Sequence, residues 1–292
     1  MKRIYYFTLV TLLFASCQNK EDQSDAFGNF EAESVIVSAE TSGKINQFDL
    51  EEGEIISKGE QYIVIDSTQA TLTIAQITAT KQSVLAKKIN IQSQIDILEE
   101  QKKNLKVEES RVENLLADGA STQQKLDNIC GQANVIEKQI SGTKTQFTLV
   151  NREIDVLNSQ LDIAYEQLQK SFIESPINGT VLETYVEEGE FITPGKPVFK
   201  VVDLNVLTLK VYISGAMLPS IKIGQEVEVI IDADTENNQS LSGASSWISP
   251  EAEFTPKIIQ TKEERVKLVY AVKVKVKNDG RLKIGMPGEV NF

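Results

Sequence analysis

One pattern is written twice in this chain. Residues 50–61 read LEEGEIISKGEQ and residues 186–197 read VEEGEFITPGKP. Setting Gly43 against Gly179 aligns Ile45 with Val181, the two EEGE blocks, Ile56 with Ile192 and Gly59 with Gly195. The spacing then runs without a gap to Ile65 and Val201. Each copy reads as strand, turn, strand, with glycine where a turn needs it. A unit this short cannot bury its apolar face alone. The two copies are therefore expected to pack face to face as one small β domain, and what lies between them is an insertion.

The insertion is helical by composition and by period. All seven prolines lie at or after Pro176, and the stretch from 67 to 171 contains only Gly119, Gly131 and Gly142 among glycines. In its second part Leu126, Ile129, Ala133, Ile136, Ile140, Thr143, Phe147, Val150, Ile154, Leu157, Leu161, Ala164 and Leu168 follow in alternating steps of three and four. That is a coiled-coil seam. In the first part Ile77, Val84, Ile91, Leu98, Leu105 and Val112 fall seven apart. Their companion column, Lys81, Lys88, Ile95, Lys102, Glu109 and Leu116, is mixed, so lysine stems are expected to cover part of the seam. Between the helices stands ADGAST, 117–122. Gly119 suits the left-handed position after a helix end, and Ser121 with Gln124 reads as a capping box. The expectation is an antiparallel hairpin over 67–171 with its tip at 115–123. About 50 residues per arm make a rod of roughly 75 Å, which serves reach better than catalysis.

The flanks read as strands. SVIVSA (34–39) and YIVID (62–66) surround the first copy, and TVL (180–182) and VFKVV (198–202) belong to the second. LTLKVYIS (207–214), QEVEVIID (225–232) and LVYAVKVKV (268–276) follow. The last alternates apolar and charged from Val272 to Lys277, as in a half-buried strand. Short strands at this spacing suggest a small barrel or sandwich over 204–292.

Charge and composition exclude several functions. The formal net charge is −12 and there is no histidine. An acidic chain has no general attraction to nucleic acid, and it lacks the commonest general base and metal ligand. Residues 1–17, MKRIYYFTLVTLLFASC, combine a basic start, a short apolar stretch and small residues before Cys17. This is a signal peptide. It resembles a bacterial lipoprotein lipobox, with Phe14 where that pattern prefers Leu. Lipidation of Cys17 is the expectation, and plain cleavage near Ser16 the alternative. Residues 18–33 then hold a polar tether and a first barrel strand. With Cys17 acylated, Cys130 has no partner for an internal disulfide. It reads as a packing residue at the seam flank. Glu51, Glu52 and Glu54 are either a weak cation site or solvated turn residues, and the turn reading is preferred.

The two half-motifs, SAETSGKINQFDLEEGEIISKGEQYIVID and ESPINGTVLETYVEEGEFITPGKPVFKVVD, resemble the split lipoyl-type domain of HlyD-like periplasmic adaptors, the membrane fusion proteins. The implied fold is α+β. It has a lipoyl-type β domain split between 34–66 and 172–203, an inserted long antiparallel α-helical coiled-coil hairpin, and a small β-barrel after it. The resemblance implies no catalysis and no cofactor. It implies a lipid-anchored periplasmic chain, most naturally at the inner membrane, assembled as a homo-hexamer between an inner-membrane transporter and a TolC-like outer-membrane channel. The carboxy-terminal stretch ISPEAEFTPKIIQTKEERVKLVYAVKVKV with IGMPGEVNF resembles the barrel of adaptors serving ABC-type exporters. The short carboxy-terminal part points the same way, and an adaptor for a proton-driven transporter is the alternative. Within the barrel, EFTPK (253–257) reads as a loop.

The tip carries the sharpest residue-level expectation. RVENLLADGAST supplies Arg111, Leu115 and Thr122 in the spacing with which such adaptors dock on the channel, Thr standing where the family has Ser. Arg111 and Leu115 share one helical face, and Arg brings charge-assisted hydrogen bonds. The bland alternative is a solvated Arg111, a Leu115 that closes the hairpin and a Thr122 that starts the next helix. Two rival functions remain. A biotin or lipoyl carrier places its modified lysine at the junction between the halves, where no such motif stands here. A coiled-coil scaffold without transport would lack an export phenotype.

Overall fold

The computed structural model of the protein describes residues 24–232, 237–254 and 268–292. The leader and Cys17 lie outside the described residues, as do residues 255–257 of the EFTPK segment. Glu253–Phe254 of that segment form not a loop but a short strand, which pairs with Leu268 and Val269.

The two copies of the repeat interlock rather than packing face to face as separate halves. The first supplies β2 (Ser34–Ser38), β3 (Gly43–Phe48), β4 (Ile55–Ile56) and β5 (Gln61–Ile65). The second supplies β6 (Phe172–Glu174), β7 (Gly179–Thr184), β8 (Phe191–Ile192) and β9 (Pro197–Val202). One four-stranded sheet runs β2-β9-β7-β4 and the other β6-β5-β3-β8. Each sheet thus takes two strands from each half. The exchange is reciprocal down to single hydrogen bonds, each residue trading places with its counterpart 136 positions away in the other copy. The Gly53 amide donates to the Val181 carbonyl (2.8 Å) and the Gly189 amide to that of Ile45 (2.9 Å). The Gly59 amide donates to Ser175 and the Gly195 amide to Ala39, both at 2.8 Å. Gly53 and Gly189 sit at φ 90° and 89°, a backbone region open to glycine. The core uses the aligned pairs: Ile45 and Val181, Ile56 and Ile192, Ile65 and Val201 are all at most 1% exposed. Each such side chain contributes about 1.5–3 kcal/mol by leaving water.

The hairpin is built from α1 (Thr68–Ala117) and α2 (Gln123–Gln169). Every seam position read on α2, and every residue of both columns on α1, is buried or half-buried. The lysine stems do lie on the seam. Lys88 Nζ stands 5.2 Å from the centre of the Phe147 ring, and Lys102 pairs with Glu137 at 3.2 Å. The hairpin leaves and re-enters the β domain through paired strands, since Val64 faces Phe172 and the Ile65 amide donates to the Ser171 carbonyl (2.8 Å). The capping box does not form. Thr122, not Ser121, precedes the first turn of α2 and makes no side-chain cap bond. The helix therefore starts one residue later than Ser121 would set it, and Gln123 Nε2 instead donates forward to Asp127 (2.9 Å).

The third part is a barrel of β1 (Ala26–Glu31), β10 (Val206–Ser214), β11 (Glu226–Asp232), β12 (Asn238–Ile248), β14 (Leu268–Lys277) and β15 (Pro287–Asn291). The order β10-β1-β15-β11-β12-β14 closes through β10–β14 pairing, and β13 (Glu253–Phe254) extends it beside β14. Phe30, Leu207, Leu209, Val211, Val229, Val272, Val274 and Val290 fill the interior. β12 is the strand that the sequence pattern hid. Its buried positions are Gly243 and Ser245, which carry no apolar signal. A Cβ on Gly243 would stand 2.6 Å from a Val274 methyl and 3.0 Å from one of Val229, so the crowded interior admits only a small residue there.

Candidate functional site

The exposed chemistry of the hairpin is concentrated at its tip. α1 ends in a Schellman motif: the Ala120 amide donates to the Leu115 carbonyl (2.7 Å) and the Gly119 amide to Leu116 (3.0 Å). Gly119 takes φ 76°, the left-handed conformation expected of it. This turn fixes the faces of the last helical residues. Val112 is 1% exposed and seals the seam, whereas Leu115 is 40% exposed and points away from it. Thr122 is extended (φ −115°, ψ 149°) and exposed. Its hydroxyl has no hydrogen-bond partner among the described residues.

Arg111 is exposed and pairs through Nη1 with Glu108 (2.8 Å), one turn back. A guanidinium has five N–H donors, so most of Arg111 stays open to a second acceptor. Glu108 is the residue that the sequence reading passed over, although its three-residue spacing from Arg111 was legible. Behind the tip, the Cys130 thiol donates to Glu109 Oε1 (3.2 Å). That hydrogen bond, then partial burial and the charges of Glu109, Glu113 and Asp127, push the thiol above the ordinary cysteine range. Arg111, Leu115 and Thr122 thus present a cation, an apolar side chain and a hydroxyl on the surface where the hairpin turns.

The acidic turns of the repeat have structural work. Glu54 accepts from the Glu51 amide (3.1 Å), Glu52 accepts from the Thr184 amide (3.2 Å), and Glu190 pairs with Lys196 (3.0 Å). Among the described residues no helix is long and apolar enough to cross a membrane.

Residues 33–203 match the CzcB-like barrel-sandwich hybrid domain. The chain belongs to that family. The two interleaved sheets with a hairpin inserted between the half-motifs are its form here, and the likeness to HlyD-like periplasmic adaptors holds at this level. The chain is 28% identical over 228 residues to a UPF0194 membrane protein of Acidithiobacillus ferridurans, an alignment spanning 77% of this chain but 61% of that one. It is 26% identical over 307 residues to a UPF0194 membrane protein of Yersinia enterocolitica, covering 94% of this chain and 91% of the relative. Among solved structures, MacA from Actinobacillus actinomycetemcomitans superposes with a TM-score of 0.68 at 24% identity, covering 91% of this chain and 76% of MacA. That likeness is one of fold.

Proposed function

We propose that this protein is the adaptor of a tripartite efflux or secretion assembly, joining an inner-membrane transporter to a TolC-like outer-membrane channel. The observation that carries the reading is a hairpin of about 75 Å rooted between two paired strands of the β domain, with Arg111, Leu115 and Thr122 exposed at its far end. Such a rod does no chemistry and transmits position. Arg111 offers charge-assisted hydrogen bonds to channel carbonyls or carboxylates, Leu115 an apolar contact and Thr122 a short hydrogen bond. The barrel faces the transporter. An ABC-type exporter is the preferred partner, on the resemblance of the carboxy-terminal stretch to barrels that serve such exporters. Acylated Cys17 holds the chain at the periplasmic face of the inner membrane, and the β domains associate as a ring of six.

The test is made in cells. Arg111→Asp and Leu115→Ser are each expected to abolish cross-linking to the channel and to depress export while leaving expression unchanged. Unaltered cross-linking and export in both variants would sink the docking assignment. Mass spectrometry of the mature chain reads the acyl groups on Cys17, and a modified lysine found instead would favour the carrier.

A further inference from the structure

The exposed apolar side chains of the barrel gather at one of its two ends. One end joins the β domain through residues 32–33 and 203–205. The other, free end is formed by the starts of β1, β11 and β14 and the ends of β10, β12 and β15. There Phe27 is the second residue of β1, Trp247 the last but one of β12 and Leu268 the first of β14, and Ile223 stands in the connection from β10 to β11. In that order they are 53%, 38%, 55% and 67% exposed. At the end joined to the β domain only Val206 and Ile284 are comparable among the described residues, at 42% and 44%. Scattered single apolar residues need no explanation. These four share one end yet are spread around the order β10-β1-β15-β11-β12-β14. They form a rim rather than a patch on one flank, and a rim suits a flat surface laid across the end.

The chemistry of the rim is interfacial. Lys273 Nζ lies 5.5 Å from the centre of the Trp247 ring. An indole beside a long cationic side chain is at home where hydrocarbon meets water. Net charge does not decide the contact. Lys222 and Lys273 at this end are offset by the exposed Glu226 and Glu251, Asp25 adds a further carboxylate, and Lys210 is taken by Glu253 at 3.6 Å. The rim therefore gains little from an anionic surface over a neutral one.

The tether brings this end to a bilayer. Nine residues separate Cys17 from Ala26, at most about 30 Å of extended chain, and Ala26 opens β1 at the free end. We infer that the free end of the barrel seats in the interfacial layer of a lipid bilayer, with Phe27, Ile223, Trp247 and Leu268 entering the headgroup region. The contact is driven by apolar burial. It fixes which end of the barrel faces the membrane, which a flexible acylated tether alone does not. The reach of the tether rests on the acylation of Cys17 proposed above; the apolar rim does not.

Trp247 is the only tryptophan of the chain, so its fluorescence reports on the rim directly. The test uses the mature chain, residues 17–292, carrying Cys17→Ser so that no acyl group contributes. Pure phosphatidylcholine vesicles are expected to shift the emission to the blue, and lipids brominated near the headgroup end of the acyl chain to quench it. Added phosphatidylglycerol or salt is expected to change the partition by less than about twofold. Phe27→Asp and Ile223→Asp are each expected to weaken partition about tenfold with circular dichroism unchanged, and Ile284→Asp at the other end to leave it as it was. No shift on neutral vesicles overturns the inference and leaves the rim to a protein partner. A shift that needs anionic lipid and vanishes in salt also overturns it, since the lysines would then be the contact. Mass spectrometry of Cys17 in the chain from cells separates the two readings. Vesicle binding with an unmodified Cys17 spares the rim and removes the tether, and an acylated Cys17 without vesicle binding does the reverse.

Discussion

Gly43 and Gly179 occupy equivalent positions in the repeat, yet their surroundings differ. A Cβ on Gly179 would lie 2.4 Å from the Val202 carbonyl oxygen, whereas on Gly43 the nearest atom is an Ile65 methyl at 2.6 Å. Backbone in a sheet cannot yield as a side chain can. Gly179→Ala is therefore expected to cost about 3 kcal/mol and Gly43→Ala about 1–2 kcal/mol, in the range of overpacked cores. Chemical denaturation of the two variants checks the order, and equal losses would contradict it. Cys130 offers a pH prediction. Its thiol is raised by the hydrogen bond to Glu109 and by neighbouring carboxylates, so at pH 8 it holds less thiolate than a free cysteine. Glu109→Gln removes the main cause and lowers the pKa, so alkylation by iodoacetamide at pH 8 is expected to quicken several-fold. Identical rate profiles for parent and variant would show that the carboxylate does not control the thiol. At this scale the sequence was informative where one residue type has one use, as at Gly119. It misled where two hydroxyls compete: Ser121 and Thr122 both suit a helix start, and the turn geometry chose Thr122.

Among elements, the hairpin was the most legible and β12 the least. Coiled-coil residues meet partners set by a local period, so the columns predicted burial position by position. β12 meets partners across a closed barrel, where Gly243 and Ser245 are selected for small volume and leave no alternation to read. The hairpin is also separable. Because β5 and β6 pair directly at its root, replacing residues 67–170 with a short Asn-Gly turn makes an ordinary two-strand connection. The shortened protein is expected to keep a cooperative β unfolding transition, lose its helical circular dichroism and lose channel cross-linking. An insoluble or unfolded product would mean that the hairpin is needed for the β domain to form.

At the scale of the whole molecule, each part has one clear relation to the others. The β domain is a pseudo-two-fold hub, the hairpin extends from one paired edge, and the barrel joins it through two short connections, Ala32–Glu33 and residues 203–205. On the proposed adaptor reading the tip and the barrel meet different partners, so docking and transporter contacts are expected to be separable by mutation. Arg111→Asp is expected to abolish channel cross-linking and leave transporter cross-linking at the barrel intact. Loss of both together would indicate that the substitution disturbs assembly rather than docking. The expectation of two halves packed face to face as one domain holds for their central strands, β3 and β5 against β7 and β9, but not for β2, β4, β6 and β8, which each cross into the other half's sheet. The repeat revealed that the halves belong together, but strands pair by backbone groups that look alike in any sequence, so it did not reveal which strand joins which sheet.

The sequence by itself determined the helices, their seam, the turn at Gly119 and the kinship of the two half-motifs. Period and turn chemistry are local, acting between residues a few places apart. Only the tertiary structure decided the reciprocal exchange of β2 and β6, the closure of the barrel through β12, and which apolar side chains remain uncovered. Those outcomes depend on pairings across more than a hundred residues and on the volume left inside a closed interior.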